Sequence, residues 1–175
     1  MKFVLIFFVI INMNVNFYNL LGKNILFAEK NLNCIFEKSS DENIYYAFSP
    51  VKYGKGMQYN GTIILKTDED DLINEVDINH GFVMGHEFYN KFVKCYGVPD
   101  SIKVIEKIEI IDQGRAKDSD FDQYLKKSFL KMKDGTFDEN PLYMIWEKKD
   151  YQIKIVNRYE QNLTQIIFRR PTKIF

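Results

Sequence analysis

The chain has 175 residues, 24 basic and 24 acidic side chains, and a hydrophobic fraction of 46% that includes fifteen Phe and eleven Tyr. The balanced charge argues against the basic face that nucleic-acid binding requires and against a polybasic membrane contact. The length and apolar content suffice for one globular domain with its own core.

The N-terminus reads as an address. Lys2 precedes nine apolar residues, 3–11; an Asn-spotted tract follows, and Leu26-Phe27-Ala28 then meets Glu29-Lys30. A basic start, an apolar run and a small residue at the cut are the layout of a secretory signal peptide. The expected division is a signal segment over 1–28 and one α+β domain over 29–175. The alternative is an uncleaved anchor, against which Asn12, Asn14, Asn16 and Asn19 speak, because an unpaired amide is costly in hydrocarbon. Cys34 follows Asn31-Leu32-Asn33, which is no lipobox. Residues 29–175 hold 22 cations against 24 acids. Export to an oxidising compartment makes Cys34 and Cys95 a candidate disulfide, closing a loop of about 60 residues.

The first half of that domain reads as strands. Residues 44–48 are apolar and β-favouring, with Ser49-Pro50 as their end; 51–56, with Gly54 and Gly56, make a turn; 57–66 form the next strand. Alternation of Val76, Ile78 and Phe82 with Asp77 and Asn79 predicts a third strand ending near Gly85. Residues 86–96 carry the clearest helical period, with Phe88, Tyr89, Phe92, Val93, Cys95 and Tyr96 on one side, Gly97 after the end and Pro99 blocking continuation. The β-branched run 102–111 predicts a strand. Residues 119–133 predict a second helix: Phe121, Tyr124, Leu125, Phe129 and Met132 share a face, acids lie at its start and lysines at its end. Strands at 142–147, 151–157 and 163–168 make a closing meander. The whole predicts an α+β two-layer sandwich, an antiparallel sheet with about two helices packed on one face.

No motif carries a catalytic or metal site. His80 and His86 are not at the i, i+4 spacing of a zinc helix, so the simpler reading is a surface His in a turn and a His opening a helix. His86 and Cys95, nine residues apart on one helix, point to opposite sides and make no nucleophile–base pair. The acidic runs 67–71 and 134–140 offer oxygen ligands without a calcium-loop pattern, and read as solvated turns, with Thr67 as a helix cap. Asn60-Gly61-Thr62 and Asn162-Leu163-Thr164 are formal glycosylation sequons. Trp146 belongs with Leu142 and Met144 on a core face. Tyr143, Lys148, Lys149 and Tyr151 around the first meander hairpin form the candidate binding surface. The expectation is an exported, non-enzymatic binding domain of the envelope or extracellular space, without cofactor, whose partner is a protein or envelope component. It touches a membrane only through its N-terminal segment if that is uncleaved. A small thiol- or His-dependent hydrolase and an inhibitor or immunity-type protein are the alternatives.

Overall fold

The structure is a computed structural model that describes residues 16–41, 43–53, 57–116 and 123–171, with side chains described outside 109–129. In chain order its regular elements are a 3-10 turn (Phe17–Leu20), α1 (Ile25–Leu32), β1 (Glu37–Lys38), β2 (Ile44–Lys52), β3 (Gln58–Thr67), β4 (Ile73–His80) and α2 (His86–Tyr96). Then come β5 (Ser101–Ala116), β6 (Gln123–Asp134), β7 (Tyr143–Glu147), β8 (Gln152–Arg158) and β9 (Leu163–Arg169), with short 3-10 turns at Phe137–Glu139 and Tyr159–Gln161. Among the described residues the nine strands form one antiparallel sheet, ordered β1-β2-β3-β4-β9-β8-β7-β5-β6.

Register explains the core. Ala47 lies opposite Ile63, Ile63 opposite Ile78, Ile78 opposite Ile166, Ile166 opposite Ile155 and Ile155 opposite Met144. One step along, Leu65, Val76, Phe168, Ile153 and Trp146 make a second row. All of these are buried. Because side chains alternate with period 2, the rows share one face of the sheet, and each large side chain contributes about 1.5–3 kcal/mol on burial. Helix α2 meets that face through Phe92, 5.2 Å from the Trp146 ring, and Phe88, 5.6 Å from Tyr53. Gly97, at φ +83°, ends the helix where a side chain would be strained, and its carbonyl accepts a hydrogen bond from Trp146 Nε1 at 2.8 Å.

The chain before Glu29 is part of this packing. Phe17, Leu20 and Ala28 are buried. The Phe17 ring lies 5.7 Å from Tyr53 and 5.6 Å from Phe168, and Tyr18 stacks on Tyr151 at 4.3 Å. Gly22 donates to the Ile73 carbonyl and Ile73 to that of Lys23, at 2.6 and 2.8 Å, so this segment is tied to the start of β4. Gly22 has φ +77°, and a Cβ there would collide with the Arg170 guanidinium. Asn24 caps α1 by accepting from the Phe27 amide at 2.9 Å. Residues 17–28, which fall within the expected signal segment, thus pack against the core.

Three expected elements are corrected, the first being the third strand, which stops at His80 and not near Gly85. The helix expected over 119–133 is strand from Gln123 to Asp134, paired with β5 in the register Ile108–Leu130 and Ile105–Met132; residues 119–122 lie outside the described residues. Leu130-Lys131-Met132-Lys133 also satisfies period 2, and the long β-branched run of β5 supplies a ladder that outweighs helix propensity. Strand β2 runs through Ser49-Pro50 to Lys52. Pro50 is tolerated because β1 covers β2 only at Tyr45 and Tyr46, leaving an open edge at Pro50. The helix at 86–96 and the meander stand where they were expected, within a residue.

Candidate functional site

Strands β5 and β6 are longer than the sheet that holds them. Strand β5 pairs with β7 over Ser101–Lys103 alone, while β5 and β6 pair with each other from Lys103–Asp134 out to Ala116–Gln123. Beyond Lys103 the two strands form a two-stranded arm projecting from the sheet, with a bulge between Ile105 and Lys107 that bends it. Ile105, Ile108, Leu130 and Met132 stand on one side of this arm and are 39–57% exposed. On its flanks Lys131 pairs with Glu106 at 2.9 Å, Lys133 with Glu139 at 3.1 Å and Lys103 with Asp134 at 2.7 Å.

A half-open groove of about 520 Å³ lies at the base of the arm, floored by Ile105, Ile108, Leu130 and Leu142 and walled by residues 157–161. That wall is held by a buried polar chain. The Met84 amide donates to Thr164 Oγ1 at 2.8 Å, Thr164 donates to Asn157 Oδ1 at 3.1 Å, and Asn157 Nδ2 donates to the Pro141 carbonyl at 3.0 Å. The Tyr159 hydroxyl reaches the same carbonyl at 3.0 Å. Arg158, Glu160 and Gln161 complete the rim. The arrangement offers an apolar floor with hydrogen-bonding and charged edges, and it suits docking of an extended or amphipathic segment better than chemistry. The sequence places Ile105 and Ile108 in a strand and Met132 on the apolar face of the helix expected over 119–133, and does not single out Leu130. Only strand order reveals that no second layer among the described residues covers them.

The residues singled out by sequence fall elsewhere. Tyr151 stacks on Tyr18 beside the core, whereas Tyr143 is on the opposite face under Lys154 Nζ, 4.9 Å from its ring centroid. Lys148 and Lys149 sit in the β7–β8 turn. The four do not form one patch. Trp146 is fully buried, as its alternation implies.

Cys34 and Cys95, the candidate disulfide pair, are free thiols and do not lie near each other. Cys34 is half-buried, and burial raises its thiol pKa, with Glu29 adding to the effect. Cys95 is exposed near the end of α2.

His80 corrects the expectation of a surface histidine. It is fully buried at the end of β4, stacked on Phe82 at 5.1 Å and met edge-on by Phe88 at 6.0 Å. Its Nδ1 lies 2.9 Å from the Asn60 carbonyl, which can only accept, so Nδ1 carries the proton. Nε2, 2.7 Å from the Tyr53 hydroxyl, is then the acceptor in the neutral ring. Burial lowers the imidazole pKa below the ordinary 6.5 and lifts the Tyr53 phenol well above 10. Gly61 makes room for the ring, since a Cβ there would stand 3.0 Å from it. With both nitrogens engaged, His80 is no free base for either thiol. His86 opens α2 exposed, 3.6 Å from Asp138, with its ring against Phe137.

The acidic loops are occupied by their own backbone. Asp68 Oδ1 accepts from the amides of Asp70 and Leu72, at 3.1 and 2.9 Å. Thr136 and Glu139 form a capping box. Thr67 ends β3 instead of capping a helix, and its hydroxyl has no hydrogen-bond partner among the described residues. Among the described residues no three His, Cys, Asp or Glu side chains converge on a metal position. Asp77 is buried on the outer face of the sheet. Burial lifts its carboxyl above the ordinary range; Gln165 donates to one oxygen and the other has no partner. No protein family, no characterised protein and no solved structure matches this chain.

Proposed function

We propose that this chain is an exported binding domain that engages a protein or envelope component through the β5–β6 arm and the groove at its base. The observation that carries the reading is the exposed row Ile105, Ile108, Leu130 and Met132 on a two-stranded ribbon. A hairpin alone is marginal in water, and exposed apolar surface of this kind marks interaction sites. Its architecture is an α+β two-layer sandwich, a reading supported by the contacts of α2 and of residues 17–28 with the buried side of the sheet. Export rests on the N-terminal pattern of Lys2 and the apolar run 3–11. An inhibitor or immunity-type protein would use the same surface and differs only in what it holds. A thiol or His hydrolase has less support, because His80 is sealed by Tyr53 and Asn60 and neither thiol has a histidine beside it in the geometry described above.

The test is Ile108→Glu with Leu130→Glu in the full chain. The pair is expected to abolish cross-linking to a partner in the native envelope while the thermal midpoint stays within about 2 °C of the parent. Unchanged cross-linking in the folded variant would reject the arm as the contact.

A further inference from the structure

Export raises the question of which bond the signal peptidase would cut. Residues 1–21 contain no Ala, Gly, Ser, Thr or Cys, so Gly22 and Ala28 are the first small residues that could stand at the cut. Both are unsuitable in the folded protein. Cleavage after Gly22 removes Phe17 and Leu20, which are 1% and 0% exposed, and cleavage after Ala28 also removes the first half of α1. A cut after Gly22 removes the amide that donates to the Ile73 carbonyl, and a cut after Ala28 removes in addition the Lys23 carbonyl that accepts from the Ile73 amide. Ala28 itself is 0% exposed, inside a helix, with its amide bonded to the Asn24 carbonyl at 3.3 Å.

The outward side of α1 is the second observation. Leu26 is 73% exposed and Phe27 38%, at the start of the helix. Lys23 places its ammonium 5.7 Å from the Phe27 ring, and Lys30 stands exposed one turn on. The acid of this helix, Glu29, turns to the Phe36 amide at 3.0 Å. Apolar side chains flanked by lysines suit the headgroup boundary of an anionic bilayer. The chain entering this region is the apolar run 3–11, separated from Phe17 by five residues. Even fully helical, residues 3–16 would cover about 21 Å, less than a hydrocarbon core of about 30 Å. A run of nine apolar residues is too short to span that core and long enough to enter one leaflet.

We infer that the N-terminal segment is retained uncut and holds the protein on the membrane, with Leu26 and Phe27 of α1 against the lipid. The inference rests on the export reading for which side of the membrane the domain occupies.

Three readouts on the full chain separate the parts. N-terminal sequencing and intact mass of the protein from its host are expected to give the Met1 start in the membrane fraction. A soluble product starting anywhere from 12 to 29 would overturn retention. For the lipid contact, Leu26→Cys in a Cys34→Ser, Cys95→Ser background carries an environment-sensitive fluorophore. A blue shift is expected with vesicles of phosphatidylglycerol and phosphatidylcholine, and none for the same label at Glu160→Cys. Equal shifts at both positions, or none at either, would overturn the α1 contact. Export is read separately, by labelling the exposed Cys95 of the unmodified chain with an impermeant maleimide in intact cells. Protection there with a Met1 start in the membrane would reject export and leave retention standing.

Discussion

His80 is the residue whose environment most constrains its chemistry. The Asn60 carbonyl fixes the tautomer, Tyr53 fills the other nitrogen, and the surrounding rings leave no polar partner for an added charge. Its folded pKa is lowered by burial, against the opposing effect of the Asn60 hydrogen bond. The unfolded chain therefore binds this proton at a higher pH than the folded one. The stability linked to His80 is fully present above about 6.5 and is lost as pH falls below it. Unfolding free energies from urea melts are expected to drop between pH 7.5 and 5, by at most about 1.4 kcal/mol per pH unit, with the drop surviving His86→Asn. A flat profile would contradict the buried neutral ring. Tyr53→Phe leaves Nε2 without a donor in apolar surroundings and is expected to cost about 1–3 kcal/mol at neutral pH, read by the same melts.

The two cysteines make a second prediction at this scale. Thiol titration under native, non-reducing conditions is expected to find both, Cys95 reacting fast and Cys34 slowly, because Cys34 is half-buried and its raised pKa reduces the thiolate. Finding no thiols would restore a bridge and require a rearrangement of the chain between α1 and α2.

At the scale of elements, the β5–β6 arm and the central strands differ in what holds them. Strands β3, β4, β9 and β8 each have a neighbour on both sides and a buried face. The arm beyond Lys103 has only its own ladder. Local stability follows buried contacts, so amide exchange in 107–131 is expected to outpace that in β4 and β9 by orders of magnitude, measured peptide by peptide. Protection of the arm equal to that of β4 would mean that something covers it. Why residues 123–134 escaped recognition as a strand is clear from Leu130 to Lys133, whose alternation fits one face of a strand and whose wider spacing fits a helix. The difference lies in β5, whose Val104 to Ile108 stand opposite Lys133 to Leu130 from more than twenty residues back, and local pattern does not report it. Helix 86–96 was legible because its apolar arc, its terminal Gly97 and Pro99 agree locally, with no help from elsewhere.

At the scale of the molecule, the segment before Glu29 decides what the domain is. Phe17→Ala is expected to cost about 3–5 kcal/mol and Leu20→Ala about 2–5 kcal/mol, through lost burial and the cavity left behind. Denaturant melts of the full chain would check both. Costs below 0.5 kcal/mol would show that the segment is carried and not packed, and would return the boundary to 28/29. The same segment lay inside the expected leader because the apolar run, the Asn tract and Ala28 read locally as an address. Nothing in that stretch shows that Phe17 will meet Tyr53 and Phe168.

What the sequence by itself determined is what depends on near neighbours. The period-2 runs of β3, β8 and β9, the amphipathic helix closed by Gly97, and the burial of Trp146 are set by alternation and capping within a few residues. Tertiary structure decided the rest. The pairing of β4 with β3 set His80 beside Asn60 under Tyr53, and its pairing with β9, about ninety residues on, completed the burial. Pairing with β5 turned 123–134 into strand. The position of β5 and β6 at one end of the sheet left Ile105, Ile108, Leu130 and Met132 without a cover among the described residues, and residues 17–28 came to pack over the core. Each is a contact between distant parts of the chain, whose free energy does not exist until both parts are in place.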